Sequence, residues 1–205
     1  MTAFRYALNT STIQTTGLME KIRIAAEVGY EAIELWAADV EAHVEAGGTL
    51  GEVARALDDA GLARPSMISL KDWGEADEAA AARGLDAARR RLELGVTGAR
   101  GGGGSGGGPP DGDGGVAMVT EGYARLREVS VEMGVPASLE FLGFVKKIKT
   151  LDVAWEIARG TGHPAATVVV DAWHLFRGGS SGEAVERLPP EAVARHRPAA
   201  SGSQL

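Results

Sequence analysis

The chain has 205 residues, a net charge of −7 and no cysteine. That length is enough for one sizeable domain with its own core. The acidic balance, with no block of Lys or Arg, excludes a surface built to grip nucleic-acid phosphates, and the lack of cysteine excludes disulfides, thiolate nucleophiles and Cys-ligated zinc. No run reaches membrane-spanning length, and no basic-then-apolar leader opens the chain, so the expectation is a cytoplasmic protein without a membrane partner.

In chain order, Phe4 to Leu8 reads as a first strand, followed by a polar loop from Asn9 to Thr16. Leu18, Ile22, Ala25 and Ala26 then share one helical face. A second strand runs from Ala32 to Trp36. Thr49 and Glu52 have capping-box spacing and open a helix through Leu57. Ser66 to Leu70 reads as a third strand, and the Ala- and Arg-rich stretch from Glu75 to Leu94 favours helix on propensity. Val119, Tyr123, Leu126 and Met133 mark another amphipathic helix; Leu151, Ala154, Trp155 and Ala158 mark one more. Gly29, Gly61, Gly95, Gly134 and Gly162 each stand between a helical pattern and a strand pattern, as left-handed helix C-caps would.

Strands alternating with helices through short turns imply a parallel sheet with right-handed crossovers. About six such units can be counted, the last helix (Gly182 to Leu188) being short; an eightfold barrel typically uses ~250 residues, so roughly two units are wanting. Where a fourth strand is due, the chain runs from Gly98 to Pro110 almost entirely in glycine, which reads as a linker or an irregular strand. The tail from Glu191 to Leu205, polar and aperiodic, reads as disordered or aberrant and falls where a seventh strand is due. Truncation or a frame change would explain both places. The fold expected is therefore α/β, an incomplete (β/α) barrel over residues 1–190.

The chemistry concentrates between Val135 and Gly179. Two strand-like runs, Val135 to Leu142 and Ala166 to His174, are apolar until each delivers an acid, Glu140 in the first and Asp171 in the second. His174 and Arg177 follow. A carboxylate at the end of an apolar strand is costly to desolvate and needs a metal or cation partner. Each residue has a plainer reading beside the functional one. Glu140 can pair with a lysine such as Lys146, Asp171 can cap the following turn, and Glu34 can be a half-exposed strand position. Arg177 either binds a substrate anion or a nearby acid. Trp36, Trp73 and Trp173 either wall a sugar pocket or pack the core. His43 and His163 read as surface residues.

With these pieces in hand, the chain resembles the xylose isomerase-like barrels, the sugar-phosphate isomerase and epimerase group. The matching stretches are Ala7 to Thr10, Gly29 to Trp36, Leu139 to Leu142 with Thr150 and Leu151, and Val170 to Leu175 with Arg177 to Gly179. The resemblance implies a divalent metal (Mn, Mg, Co or Zn) held by Glu140 and Asp171, with Glu140 also catalytic. It implies that Glu34, His174 and Arg177 line the substrate site. The family's further His and Glu ligands, on the seventh and eighth strands, have no counterpart, and no such role is carried onto His196.

The implied activity is metal-dependent isomerisation or epimerisation of a sugar or sugar phosphate by carboxylate-mediated proton transfer through an enediolate. Two alternatives stand beside it: an inosose dehydratase-like lyase, and a catalytically impaired fragment of the family. An endonuclease-IV-like repair enzyme would need more histidines than the four present and a basic face. An opened ring of strands exposes two edges, which leaves a homo-oligomer open.

Overall fold

The computed structural model describes residues 5–98, 103–105, 115–146 and 148–194. The chain divides into two compact units. Among the described residues, one comprises residues 5–68, 93–98 and 103; the other comprises residues 69–92, 104–105, 115–146 and 148–194.

In the first unit three strands lie parallel: β1 (Ala7–Asn9), β2 (Ala32–Trp36) and β3 (Ser66–Ile68). Helix α1 (Leu18–Val28) connects the first two strands. It ends at Gly29, whose φ of 89° lets Gly29 N–H reach Ala26 O and Tyr30 N–H reach Ala25 O before the chain turns into β2. Helix α2 (Ala37–Glu45) begins directly at the end of β2. Helix α3 (Leu50–Asp59) opens with the capping box expected of Thr49 and Glu52. Leu8, Ile33 and Leu35 from the strands pack on Ile22, Val40, Val53 and Leu57 from the helices. Lys21 is buried in α1 and bonds Asp39 of α2 at 2.7 Å.

The second unit contains β5 (Ala137–Glu140), β6 (Val168–Val169) and all but the first residue of β4 (Gly103–Ser105), again parallel. The glycine tract thus contributes a short strand, with Gly104 opposite Ala137; residues 99–102 and 106–114 lie outside the described residues. Helix α4 (Glu78–Gly98) begins after Asp77, whose side chain accepts from Ala80 N–H. It runs through Gly95, which is therefore no C-cap. An interior glycine costs a helix only ~1 kcal/mol, which a long Ala-rich helix absorbs. Helices α5 (Val116–Met133) and α6 (Leu151–Gly160) cover the strands, and α7 (Ala172–Gly178) and α8 (Gly182–Glu186) follow β6. Trp73, Tyr123, Leu126, Leu139, Phe141 and Ile157 are fully enclosed in this core.

Side chains of α5 set where β5 starts. Ser130 donates to Val135 O and accepts from Ala137 N–H, while Arg127 and Tyr123 both donate to Ala137 O, at 2.8 and 3.0 Å. Burial lowers the affinity of Arg127 for its proton and pushes the Tyr123 phenol up to about 12. Arg127 also reaches His163 Nδ1, which accepts from Ala165 N–H as well. His163 is thus a half-buried part of this network rather than a surface residue. Past the short helix at Pro190–Ala192, Val193 forms a parallel bridge to Val168, and Ala194 N–H donates to Val168 O. The chain is laid beside β6 at the point where a seventh strand is due. Residues 195–205, including His196 and most of the expected tail, lie outside the described residues.

Candidate functional site

Residues two apart on a strand share a face, so register decides which polar side chains meet. In the second unit Glu140 lies opposite Val169. Asp171, two residues beyond Val169 and still extended at φ −93° and ψ 123°, therefore faces the same way as Glu140. Strand spacing and rise place their Cα atoms roughly 8 Å apart. Ser138, on that same face, hydrogen-bonds Thr167 at 2.8 Å. The opposite face carries Ala137, Leu139 and Val168, all fully buried in the core.

Asp171 does two things at once. Its Oδ1 accepts from His174 N–H at 2.7 Å, capping α7, which is the plainer reading of an Asp in that position. The extended run ends there, so Trp173 and His174 belong to α7 and not to the strand expected through residue 174. His174 is then held from the other side: its Nδ1 accepts from Gly143 N–H at 3.2 Å, which places the ring proton of the neutral form on Nε2. Burial lowers its pKa below the ordinary value, against the opposing pull of Asp171.

The β5–α6 connection and α7 fit together through two glycines. A Cβ on Gly178 would stand 1.8 Å from Lys149 O, and one on Gly143 would stand 2.7 Å from Gly178 N. Only hydrogen fits at either position. Beside this contact Phe144, Trp173 and His174 form an aromatic cluster, with Trp173 and His174 edge to face at 4.9 Å. Trp173 is 59% exposed and Phe144 61% exposed. Trp73, by contrast, is a core residue packed on Tyr123 at 5.8 Å. Arg177 is exposed on the last turn of α7, one turn past His174.

In the first unit Glu34 is anything but a plain strand position. Asn9 lies opposite it in register, and Asn9 Nδ2 donates to Glu34 Oε2 at 2.7 Å. Leu35 lies opposite Met67, so one step back along that register Ser66 stands beside Glu34, and its hydroxyl donates to Glu34 Oε1. Sequence reasoning did not single out Asn9 and Ser66 as site residues. The only signal for them was a polar residue closing β1 and another opening β3, and it acquires meaning once the register is known.

Together these features define a parallel α/β protein with polar groups gathered at strand ends. Residues 22–198 match the family described as xylose isomerase-like TIM barrel, and the chain belongs to it. A curated 3-dehydroshikimate dehydratase from Pseudomonas putida is 21% identical over 185 residues, covering 89% of this chain and 29% of its own. The chain thus spans less than a third of that relative. Among solved structures, IOLI protein with a binding zinc atom superposes with a TM-score of 0.82 at 17% identity, covering 93% of this chain and 70% of that one. D-psicose 3-epimerase in the presence of D-fructose gives 0.73 at 17% identity, covering 93% and 71%.

Glu140 and Asp171 offer carboxylate oxygens, the donor type that hard divalent cations take. Among the described residues no group of three His, Asp or Glu side chains is placed to hold a metal. Two carboxylates alone are fewer ligands than such a cation takes, so any cation held there would need water or substrate oxygens as well. Among the described residues, no helix is long and apolar enough to cross a membrane.

Proposed function

We propose that this chain is a divalent-metal-dependent isomerase or epimerase of a sugar or sugar phosphate. The observation that carries the reading is the placement of Glu140 and Asp171 on one face at the ends of adjacent parallel strands, where barrels of this class gather their chemistry. Glu140 and Asp171 would hold the cation, which when bound polarises the substrate's carbonyl and hydroxyl oxygens as a Lewis acid. A Glu140 carboxylate oxygen would take the proton from the carbon beside the carbonyl, leaving an enediolate. For isomerisation it would return the proton to the neighbouring carbon; for epimerisation the returning proton would come from water on the opposite face. His174 presents Nε2–H as a donor to a substrate oxygen, its Nδ1 being occupied by Gly143. Arg177 is the cation available on α7 for an anionic substituent such as a phosphate.

The dehydratase relative supports a second reading on the same residues. Glu140 would again remove the proton and would pass it to a hydroxyl on the next carbon, which leaves as water as the C–H electron pair forms the double bond.

Purified protein with Mn²⁺ is incubated in D₂O with D-fructose, D-fructose 6-phosphate or 3-dehydroshikimate and followed by proton NMR. Metal-dependent deuterium incorporation next to the carbonyl, falling at least 100-fold in Glu140→Gln, is expected for a positioned general base. Loss of water without prior incorporation into recovered starting material selects the dehydratase. A calorimetric titration showing no Mn²⁺, Co²⁺ or Zn²⁺ binding, together with no exchange, refutes both and leaves a catalytically impaired fragment.

A further inference from the structure

Two side chains of α5, Tyr123 and Arg127, hold both of the strands that lead to Glu140 and Asp171. The Tyr123 hydroxyl lies 3.0 Å from Ala137 O, at the start of β5, and 3.2 Å from Thr167 O, just ahead of β6. It has one proton and shares it between the two carbonyls. Arg127 donates to Ala137 O at 2.8 Å and reaches the His163 ring at 3.4 Å. That ring's Nδ1 also accepts from Ala165 N–H, on the approach to β6. Arg127 is 3% exposed, its Nε has no hydrogen-bond partner and, among the described residues, no carboxylate bonds to it. A guanidinium buried without its counter-charge is a poor source of stability, and an apolar side chain of similar volume would hold the core at least as well. What the two side chains supply is placement. The ladders around β5 supply little of it, since β4 sets Gly104 opposite Ala137 and β6 is two residues long. A glycine-rich neighbour specifies register weakly.

We propose that Tyr123 and Arg127 are positioning residues for the acid pair. By tying Ala137 to Thr167 and His163 they fix how far β5 stands along β6, and hence whether Glu140 and Asp171 come level to share one cation. Glu140 stands on the same strand as Ala137, about 10 Å further along, so a strand links the clamp to the acid. A slip of β5 by one ladder repeat would carry Glu140 ~7 Å away from its place beside Asp171. Drift of a fraction of that already spoils the placement of a ligating oxygen. The cation is that of the function proposed above, on which this placement role rests.

The test measures metal affinity, which is independent of turnover. Mn²⁺ is titrated into the wild type, Tyr123→Phe, Arg127→Met and Ile157→Val, the free ion is followed by electron paramagnetic resonance, and melting curves are taken on the same samples. Ile157 is fully buried in the same core and its apolar side chain makes no hydrogen bond, so Ile157→Val is the control for lost stability. Tyr123→Phe and Arg127→Met should each bind Mn²⁺ about tenfold more weakly than the wild type, the lower end of what substitutions outside the ligand shell cost. The control should melt a few degrees lower and bind as the wild type does. Arg127→Met should melt at or above the wild-type temperature, so that its weaker binding is not lost stability. Where Arg127→Met does not fold, Tyr123→Phe, which keeps the ring, decides. Affinity within about twofold of the wild type in the folded clamp variants overturns the proposal, as does an equal loss in the control. Failure of the reaction reading is distinguishable: there the clamp variants bind more weakly while no metal-dependent deuterium exchange occurs in the wild type. Exchange with unchanged affinity refutes the placement role alone, and a wild type that binds no Mn²⁺ overturns both.

Discussion

Substituting alanine for Gly178 should destabilise the second unit by roughly 3 kcal/mol. The added Cβ would sit 1.8 Å from Lys149 O, whereas ordinary contact begins at 3.4 Å, so the Lys149 carbonyl must withdraw by about 1.6 Å. Backbone strain plays no part, because Gly178 lies within α7 and is absent from the positive-φ glycines. Helix propensity alone would favour alanine by ~1 kcal/mol, so the sign of the effect is set entirely by the clash. Overpacking a filled site costs ~1–3 kcal/mol. Moving the loop also threatens the Gly143 N–H to His174 bond and the Leu151 N–H to Ser180 bond, each worth ~1 kcal/mol. At about 2–4 °C per kcal/mol for a chain of this size, the melting temperature should fall by roughly 6–12 °C. Circular dichroism melts of Gly178→Ala and of a control, Gly182→Ala, make the comparison. A Cβ on Gly182 meets nothing within 4 Å, so the control should be neutral or stabilised by up to ~1 kcal/mol. If Gly178→Ala melts within 2 °C of the control, the close contact does not exist as described.

Two further predictions concern groups buried away from the strand ends. Lys21 is 1% exposed and its partner Asp39 23% exposed, so the pair should respond unequally. Asp39→Ala strands a buried ammonium and should cost about 3 kcal/mol in chemical denaturation, whereas Lys21→Met leaves a carboxylate that can turn to water and should cost about half that; equal losses would contradict the burial. Tyr123 has a phenol raised from 10.0 to about 12, chiefly by burial. A neutral form favoured by the fold contributes stability in full below pH ~10 and loses it as pH climbs toward the folded value, about 2–3 kcal/mol in all. Tyr123→Phe should lose ~1 kcal/mol at pH 7 with the hydrogen bond to Ala137 O, yet show a shallower decline between pH 10 and 12; parallel curves for the two proteins would refute the assignment.

Alternation of strand and helix was legible because its signals are local. Thr49 and Glu52 lie three residues apart and form their capping box whatever surrounds them. Gly29 and Gly134 stop helices because the left-handed geometry there is cheap only for glycine. Gly95 gave the same local signal and misled, since the rest of α4 holds a helix through it. Helix α2 escaped notice for the opposite reason. It starts from Trp36 with no side-chain cap, straight off the end of β2, so no polar punctuation marks it. The run from Ala166 to His174 was read as one strand because of its valines, but the Asp171 side chain captures His174 N–H and turns the chain into α7. Two competing local preferences met there, and the cap won.

The strand-end acids were legible as isolated charges, and what their neighbours do with them was not. Glu34 alternates with Ile33 and Leu35, a pattern that equally describes a half-solvated edge and a recognition group. What the structure adds is a carboxylate bonded to partners 25 and 32 residues away, whose positions follow from register and from nothing local. A carboxylate that merely faced water would have no use for two neutral donors on the flanking strands, since water satisfies it more cheaply than ordered side chains do. Parallel strands of this kind usually bury apolar residues on both faces, so each polar residue on the face away from the helices must find its bond from the adjoining strand. Asn9, Glu34 and Ser66 do so in the first unit, and Ser138 and Thr167 do so in the second. In each unit the sheet face is thus kept polar by bonds that run from strand to strand.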